Sequence, residues 1–308
     1  MKSALVIGGA GFLGAKIAGA FGSSGYAVTS LDNAMPGDSH ESSDLRTISM
    51  SLPDAAFSAL LSEVAPDVLV HCAGKASVPE SMTNPHDDFA SHVMLTEWLI
   101  NQCRRSAPNT RFIYLSSAAV YGQPDELPVT ESCPIRPVSP YGYHKRMAEM
   151  LCEQASSLFG MQTVVARIFS AYGAGLRRQV IWEAARQAVE EKSIQLHGTG
   201  EETRDFVHAH DIAKAIVLLA EKVSPDGSSY NVASGVETSV NILARSIAAK
   251  CGACPVAFRG KRRGYDPERW RADIAKISEV GFEPSVSMSE GLDDLLIWIR
   301  KELARKVT

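Results

Sequence analysis

Tyr141 stands four residues before Lys145 in the stretch SPYGYHK. Such a pair can move a proton: a phenolate takes one from an alcohol, and a nearby ammonium stabilises the phenolate. The requirement is demanding. A free tyrosine titrates near about 10, so work near pH 7 takes a shift of about 3 units, roughly 4 kcal/mol in favour of the phenolate. One solvated lysine contributes only about 0–1 kcal/mol. Lys145 must therefore be partly buried, or helped by a second positive charge. Chance alone supplies about 0.3 Tyr-x-x-x-Lys pairs in a chain with 8 tyrosines, so the pair takes its meaning from its surroundings.

The elements that must position the pair are readable from the pattern. Short β-branched runs at 4–8, 27–32, 46–50, 67–74, 111–117 and 163–169 alternate with helical periods near 12–24, 53–64, 86–105 and 140–159. Continuous apolar strands, each followed by a helix, predict a parallel sheet covered on both faces. Gly25 and Gly160 are expected as left-handed caps. Ser139 as N-cap and Pro140 at the first helical position put Tyr141 in the first turn, with Lys145 on the same face. His144 is expected off that face.

Ligands of open parallel sheets bind at the carboxyl ends of the strands. The first end carries IGGAGFLG, in which Gly8, Gly9, Gly11 and Gly14 permit a tight turn and close approach to a pyrophosphate at a helix N-terminus. The second carries Asp32, whose carboxylate suits adenine-ribose hydroxyls and repels a 2′-phosphate, favouring NAD over NADP. Asn33 follows it, not an arginine. The fourth and fifth ends carry Cys72-Ala73-Gly74 and SSAAVYG, small residues across which a flat cofactor can lie. Ser117 is the last hydroxyl before the fifth strand breaks. The chemistry is oxidation of a secondary alcohol. Tyr141 takes the hydroxyl proton, the nicotinamide takes the hydride, Ser117 positions the reacting oxygen and Lys145 holds the nicotinamide ribose.

Composition agrees with such an enzyme. The 308 residues, 45% hydrophobic and 21% charged, read as a globular chain with one large domain and one smaller. With a net charge of −4 and no long basic run (GKRRG at 260–264 is too short), nucleic acid is not expected as a partner. The apolar stretch from residue 3 fits neither a signal peptide nor a membrane span. Six scattered cysteines predict reduced thiols in a cytoplasm, and Cys251 and Cys254 read as a helix end followed by a strand. The expected fold is α/β. A Rossmann-type doubly wound parallel sheet occupies 1–170, with a returning segment near 205–235. A smaller mixed α/β substrate domain occupies 171–308, with helices near 176–191, 211–222, 238–250 and 287–303 and strands in IQLHG and YNVAS.

The motifs GGAGFLG, LDN, HCAG, SSAAVYG, PYGYHK, RIFSAYGAG, GTGEETRDFVHAHDIA, YNVASG and RRGYDPERWRADIAKI together resemble the extended short-chain dehydrogenase/reductase family, in its nucleotide-sugar epimerase/dehydratase branch. The resemblance covers nearly the whole chain. It implies NAD in the first domain, a nucleotide sugar in the second, and a homodimer through a four-helix bundle built from the helices near 86–105 and 140–159. The expected cofactor set is Gly8, Gly11, Phe12, Leu13, Gly14, Asp32, Asn33, Ser51, Leu52, Cys72, Ala73, Gly74, Ser116, Tyr141, Lys145 and Ile168. For the substrate, the resemblance adds Ser117 and Ser170, with Arg204 and Arg263 clamping the diphosphate, Asp266 facing the nucleotide ribose and Trp270 as a size gate. Ser51, His92 and Ser170 replace residues frequent in the family: an adenine-contacting Asp, a helix Asn and a substrate-loop Asn. His208, His210 and Asp211 read as a strand end and a helix cap, without a metal.

The resembling 4,6-dehydratases carry Asp-Glu directly after the hydroxyl residue, and the decarboxylases carry Glu at the second of those positions. Here both are alanine, Ala118 and Ala119. That disfavours dehydration and decarboxylation and leaves a 4-epimerase that oxidises C4, rotates the 4-keto sugar and returns the hydride to the other face. A bulky Trp270 favours a non-acetylated hexose, UDP-glucose or UDP-galactose. Two other readings stay open. One is a reductase or dehydrogenase of a nucleotide-linked 4-keto sugar. The other is a cofactor-sensing protein on the same fold, which has no need of Ser117, Tyr141 and Lys145.

Overall fold

The structure, a computed structural model, describes residues 1–33, 45–261, 264 and 267–305. Its centre is a sheet of seven strands. They are β1 (Ser3–Ile7), β2 (Ala27–Asp32), β3 (Arg46–Ser49), β4 (Val68–His71), β5 (Arg111–Ser117), β6 (Thr163–Ile168) and the late strand β10 (Asp226–Val232). The order is β10-β6-β5-β4-β1-β2-β3, and every neighbouring pair is parallel. Side chains alternate between the faces as the strand period demands. Ala4 and Val6 enter one core cluster while Leu5 and Ile7 enter another. The first face is covered by α1 (Phe12–Ser23) and α8 (Ala209–Lys222), through Ile17, Phe21, Ile212 and Ile216. The second is covered by α2 (Phe57–Val64), α5 (Leu95–Ser106) and α6 (Pro140–Phe159), through Phe57, Leu61, Leu99, Ala148 and Cys152. Two covered faces explain why these strands read as unbroken apolar runs.

The segment expected as one helix over 86–105 runs in three consecutive pieces, α4 (Pro85–Phe89), a π-turn (Ala90–Met94) and α5, and a separate short helix, α3 (Val78–Thr83), precedes it. Pro79 and Pro85 each sit near a helix start, where a missing N–H costs nothing, so the pattern restarts twice. The helix expected from 53 begins at Phe57.

The rest of the chain forms a second cluster around α7 (Gln179–Glu190), α9 (Val240–Lys250) and α11 (Met288–Arg305). Two small sheets accompany it. One is β11 (Glu237–Ser239), β9 (Thr203–His208) and β7 (Ser170–Tyr172); the other pairs β12 (Val256–Phe258) with β8 (Ile194–Leu196). A short helix, α10 (Ala275–Ser278), packs near β10. Asp211, expected as a cap, is not one. His208 caps α8, and the Asp211 carboxylate accepts from Ser285 N, Ser285 Oγ and Val286 N, tying the C-terminal segment to α8. No helix among the described residues is long and apolar enough to cross a membrane.

Candidate active site

Two cavities, about 980 Å³ and about 970 Å³, lie along the carboxyl ends of the sheet strands and share Gly8, Gly11, Cys72 and Gly74 as walls. The first is lined by Asp32, Asn33, Leu52 and Ala73, together with Met50, Pro53 and Trp98. The second is lined by Phe12, Leu13, Gly14, Ser116, Ser117, Tyr141, Lys145, Ile168, Ser170, Arg204 and Trp270. Every expected contact among the described residues therefore lines one cavity or the other, except Ser51. That residue is exposed, while its neighbours Met50 and Leu52 line the first cavity. Arg263 and Asp266 lie outside the described residues.

The glycines divide their work. A Cβ on Gly14 would stand 2.0 Å from the Gly8 carbonyl oxygen, so Gly14 lets α1 close onto the turn. A Cβ on Gly11 would meet that oxygen at 3.2 Å and nothing else within 4 Å. Gly11 is the N-cap of α1 and offers no side-chain cap, so the first helix amides keep their donors for an anion in the cavity. The Asp32 carboxylate accepts from Ala10 N at 2.9 Å, holding the glycine turn against the end of β2. This geometry fits a dinucleotide: helix amides for the pyrophosphate and an anionic carboxylate where a 2′-phosphate would be repelled.

Ser139 Oγ accepts from Gly142 N at 3.2 Å and Pro140 opens α6, so the helix starts where the spacing placed it. Tyr141 is 8% exposed and Lys145 6%. Lys145 Nζ donates to the Leu115 carbonyl at 2.7 Å and lies 4.8 Å from the Tyr114 ring centre and 5.8 Å from that of Tyr141. Burial lowers the Lys145 ammonium to about 8, against the pull of Asp88. Burial also raises the Tyr141 phenol, while a hydrogen bond from Ser117 and the charge of Arg178 pull it down. The lysine is thus buried as the chemistry needs, but burial of the phenol works the other way. Phenolate formation has to draw on Ser117, on Arg178 and on whatever positive charge the bound cofactor brings. Arg178, the residue before α7, lines the second cavity, and no local pattern marks it.

A buried ion pair sets α6 against the strands. Glu149, 0% exposed and one turn beyond Lys145, receives Arg167 at both oxygens, at 3.0 and 2.9 Å, and Ser116 Oγ at 2.6 Å. Arg167 also donates to Tyr121 Oη at 2.9 Å, and Tyr121 donates to Asn231 at 2.7 Å on β10. The network spans β5, β6, β10 and α6, and it holds Ser116 and Ser117 in register with the helix that carries Tyr141. At the far end, Trp270 donates to the Gly122 carbonyl at 3.0 Å, with the Arg204 guanidinium 5.7 Å over its ring. Arg204 itself donates to the Thr203 and Pro267 carbonyls at 2.7 and 2.8 Å. His144 is buried against α4, with Nδ1 2.6 Å from Asp88 Oδ2.

Residues 4–233 match the NAD-dependent epimerase/dehydratase family. Among curated proteins, the chain is 30% identical over 312 residues to the UDP-glucose 4-epimerase of Mycolicibacterium smegmatis, covering 97% of this chain and 98% of that one. It is also 30% identical over 320 residues to UDP-glucuronic acid decarboxylase 1 of Xenopus tropicalis, covering 98% of this chain and 73% of that one. Among solved structures, MoeE5 in complex with UDP-glucuronic acid and NAD superposes with a TM-score of 0.89 at 28% identity, covering 97% of this chain and 99% of that one.

Proposed function

The chain belongs to the NAD-dependent epimerase/dehydratase family, and within it we propose that it is a nucleotide-sugar 4-epimerase acting on UDP-glucose and UDP-galactose. The observation that carries this reading is the turn after Ser117. Ala118 and Ala119 are buried there and bring no carboxylate to the reacting carbon. The carboxylates that line this half of the site, Glu183 and Glu202, stand on α7 and before β9. Glu202 is engaged by the Thr199 and Gly200 amides. Elimination and decarboxylation lack an acid or base beside Ser117; alcohol oxidation and its reversal need none beyond Tyr141.

When bound, NAD supplies the hydride acceptor and donor. Ser117 holds the reacting oxygen, and Tyr141 removes the hydroxyl proton and gives it back after the sugar has turned. Lys145 holds the nicotinamide ribose with the N–H groups not given to Leu115. Arg204 holds the diphosphate while the hexose swings and Trp270 limits the substituent at C2; the resemblance assigns Arg263 to the diphosphate and Asp266 to the nucleotide ribose. The domain division follows the sequence reading, with β10 as the returning strand of the NAD-binding part. Exposed Met94, Tyr143, Met147 and Met150, on the π-turn and α6, support a homodimer through a four-helix bundle. The six free cysteines support a reducing cytoplasm.

The test is an NMR assay of purified protein on UDP-galactose and UDP-glucose with no cofactor added. Interconversion from either side is expected. Turnover only with added NAD(H), with net oxidation or reduction of the sugar, replaces this reading with the reductase/dehydrogenase.

A further inference from the structure

Pro267 and Trp270, two walls of the second cavity, lie in a stretch without helix or strand. Such a stretch has no hydrogen-bond ladder of its own and keeps its place through bonds from its neighbours. β9 supplies two of them. Thr203 N donates to the Glu268 carbonyl at 2.9 Å, and Asp205 Oδ2 accepts from Ala272 N at 3.1 Å. Glu268 and Ala272 stand two residues either side of Trp270, so these bonds bracket the tryptophan. Val129 adds a further hold: its N–H donates to the Arg271 carbonyl and its carbonyl accepts from Asp273 N, both at 2.8 Å.

Asp205 is 0% exposed and directly follows Arg204. Besides Ala272 it accepts from the Ser234 amide and hydroxyl, each 2.7 Å from Oδ1, and from the Gly235 amide, 2.9 Å from Oδ2. A carboxylate has about four acceptor positions, and here four donors meet it, three amides and a hydroxyl with no cation among them. Burial pushes the carboxyl up, and these bonds hold it down. A charge buried in this way depends on every one of its hydrogen bonds. Three segments therefore meet at one carboxylate: β9, the turn between β10 and β11, and the stretch that carries Trp270.

We propose that Asp205 is a positioning residue for the substrate end of the site, which acts by fixing the Trp270 ring through the Ala272 amide. The surroundings of the ring give its place a consequence. Its Nε1 donates to Gly122, at the end of the turn that follows Ser117. Phe169, another wall of the cavity, stands edge-on to it, 6.0 Å between centres at 67°. The same turn lies against the catalytic helix, since a Cβ on Gly142 would come within 2.6 Å of the Ala119 carbonyl oxygen. A loosened Trp270 thus widens the pocket beside Ser117 and Tyr141 and leaves both in place. The effect on sugar choice rests on the epimerase reading with Trp270 as its gate; the effect on the ring itself does not.

The experiment follows solvent exchange of the four tryptophan indole N–H groups in ¹⁵N-tryptophan-labelled protein, with NAD present. The Trp270 signal is identified by its loss in Trp270→Phe. Asp205→Ala removes the acceptor and leaves the two Val129 bonds, so the stretch loosens without detaching. Exchange at Trp270 is expected to quicken at least about fivefold, the scale of one lost hydrogen bond, while Trp98, Trp182 and Trp298 keep their rates. An unchanged Trp270 rate overturns the proposal. So does an equal rise at all four, which means general loosening. In turnover, Asp205→Ala is expected to favour UDP-N-acetylhexoses over UDP-hexoses relative to wild type, and to add nothing in a Trp270→Ala background. A further rise in that background places the effect elsewhere and overturns the proposal. Should Asp205→Ala fail to fold, the wild-type protein decides. Asp205 is the one partner of the Ala272 amide among the described residues, so that amide must exchange as slowly as the core amides of β9; exchange at a surface rate overturns the assignment. These exchange signals need no substrate. Loss of the epimerase reading therefore leaves them standing, and normal epimerisation with an unmoved Trp270 rate in the variant removes this proposal alone.

Discussion

Replacing Tyr141 by Phe removes one oxygen and leaves the ring. The ring keeps its neighbours, the His92 edge at 5.4 Å and Lys145 at 5.8 Å, so the helix start and the cavity wall persist. One hydrogen bond, accepted from Ser117, is lost. Such a bond contributes about 1 kcal/mol, which in a chain of this size moves the melting temperature by no more than about 4 °C. The rate is another matter. A positioned acid/base contributes about 10²–10⁴-fold, or roughly 2.7–5.4 kcal/mol of barrier. Burial raises the wild-type phenol, so oxidation in the unsubstituted protein gains with rising pH as the phenolate forms. The gain ends where Lys145, lowered to about 8, loses its proton. In Tyr141→Phe that rising limb is absent. The assay pairs NAD retention, read after denaturing the purified protein, with the NMR epimerisation rate from about pH 6 to 9, a span that brackets the Lys145 titration. A variant that keeps NAD and loses at least about 100-fold in rate supports the role. Keeping NAD with a rate within about tenfold of wild type refutes it.

Arg167→Met leaves Glu149 buried without its two-point partner and is expected to cost about 3–5 kcal/mol, a fall of roughly 5–8 °C in a thermal melt; an unshifted melt would mean the pair carries no net stability. Asp32→Ser is expected to shift the NADP-to-NAD binding ratio at least about tenfold toward NADP. It should also weaken both cofactors, because the Ala10 amide loses its acceptor; calorimetry of both cofactors reads this, and a wild-type protein that prefers NADP contradicts the role of Asp32. Trp270→Ala enlarges the end of the second cavity and is expected to raise turnover of UDP-N-acetylhexoses relative to UDP-hexoses at least about tenfold; an unchanged ratio removes Trp270 as the gate.

Much of the site was legible because its signals are local. The glycine turn, Asp32 at a strand end, and the Ser139-Pro140 start that sets Tyr141 and Lys145 on one face each depend on residues a few positions apart. Non-local features were not legible. Asp88 meets His144 across 56 positions, and Arg167 reaches Glu149 across 18, so no spacing rule connects them. The π-turn was hidden because Ala90–Met94 carry no glycine or proline to mark a break, and the segment packs beside α6. Asp211 has the residue type and position of a cap, yet its carboxylate is drawn to Ser285, 74 positions away. Ser51 was placed by family position; it is exposed, and its neighbours Met50 and Leu52 form the cavity wall there. The three-residue strands β7, β11 and β12 are too short for alternation to stand out.

The sheet order carries one more consequence, for the growing chain. β6 has β5 on one side and β10 on the other, and β10 begins at Asp226, 58 residues after β6 ends at Ile168. Until those residues have left the ribosome, β6 presents a buried-type strand, TVVARI, with an open edge. Such an edge invites pairing with other chains. The polar network closes in the same late step, since Tyr121 waits for Asn231. The nucleotide-binding half therefore cannot mature first and the other half follow; a nascent chain halted near residue 200 is the form a chaperone has most reason to hold.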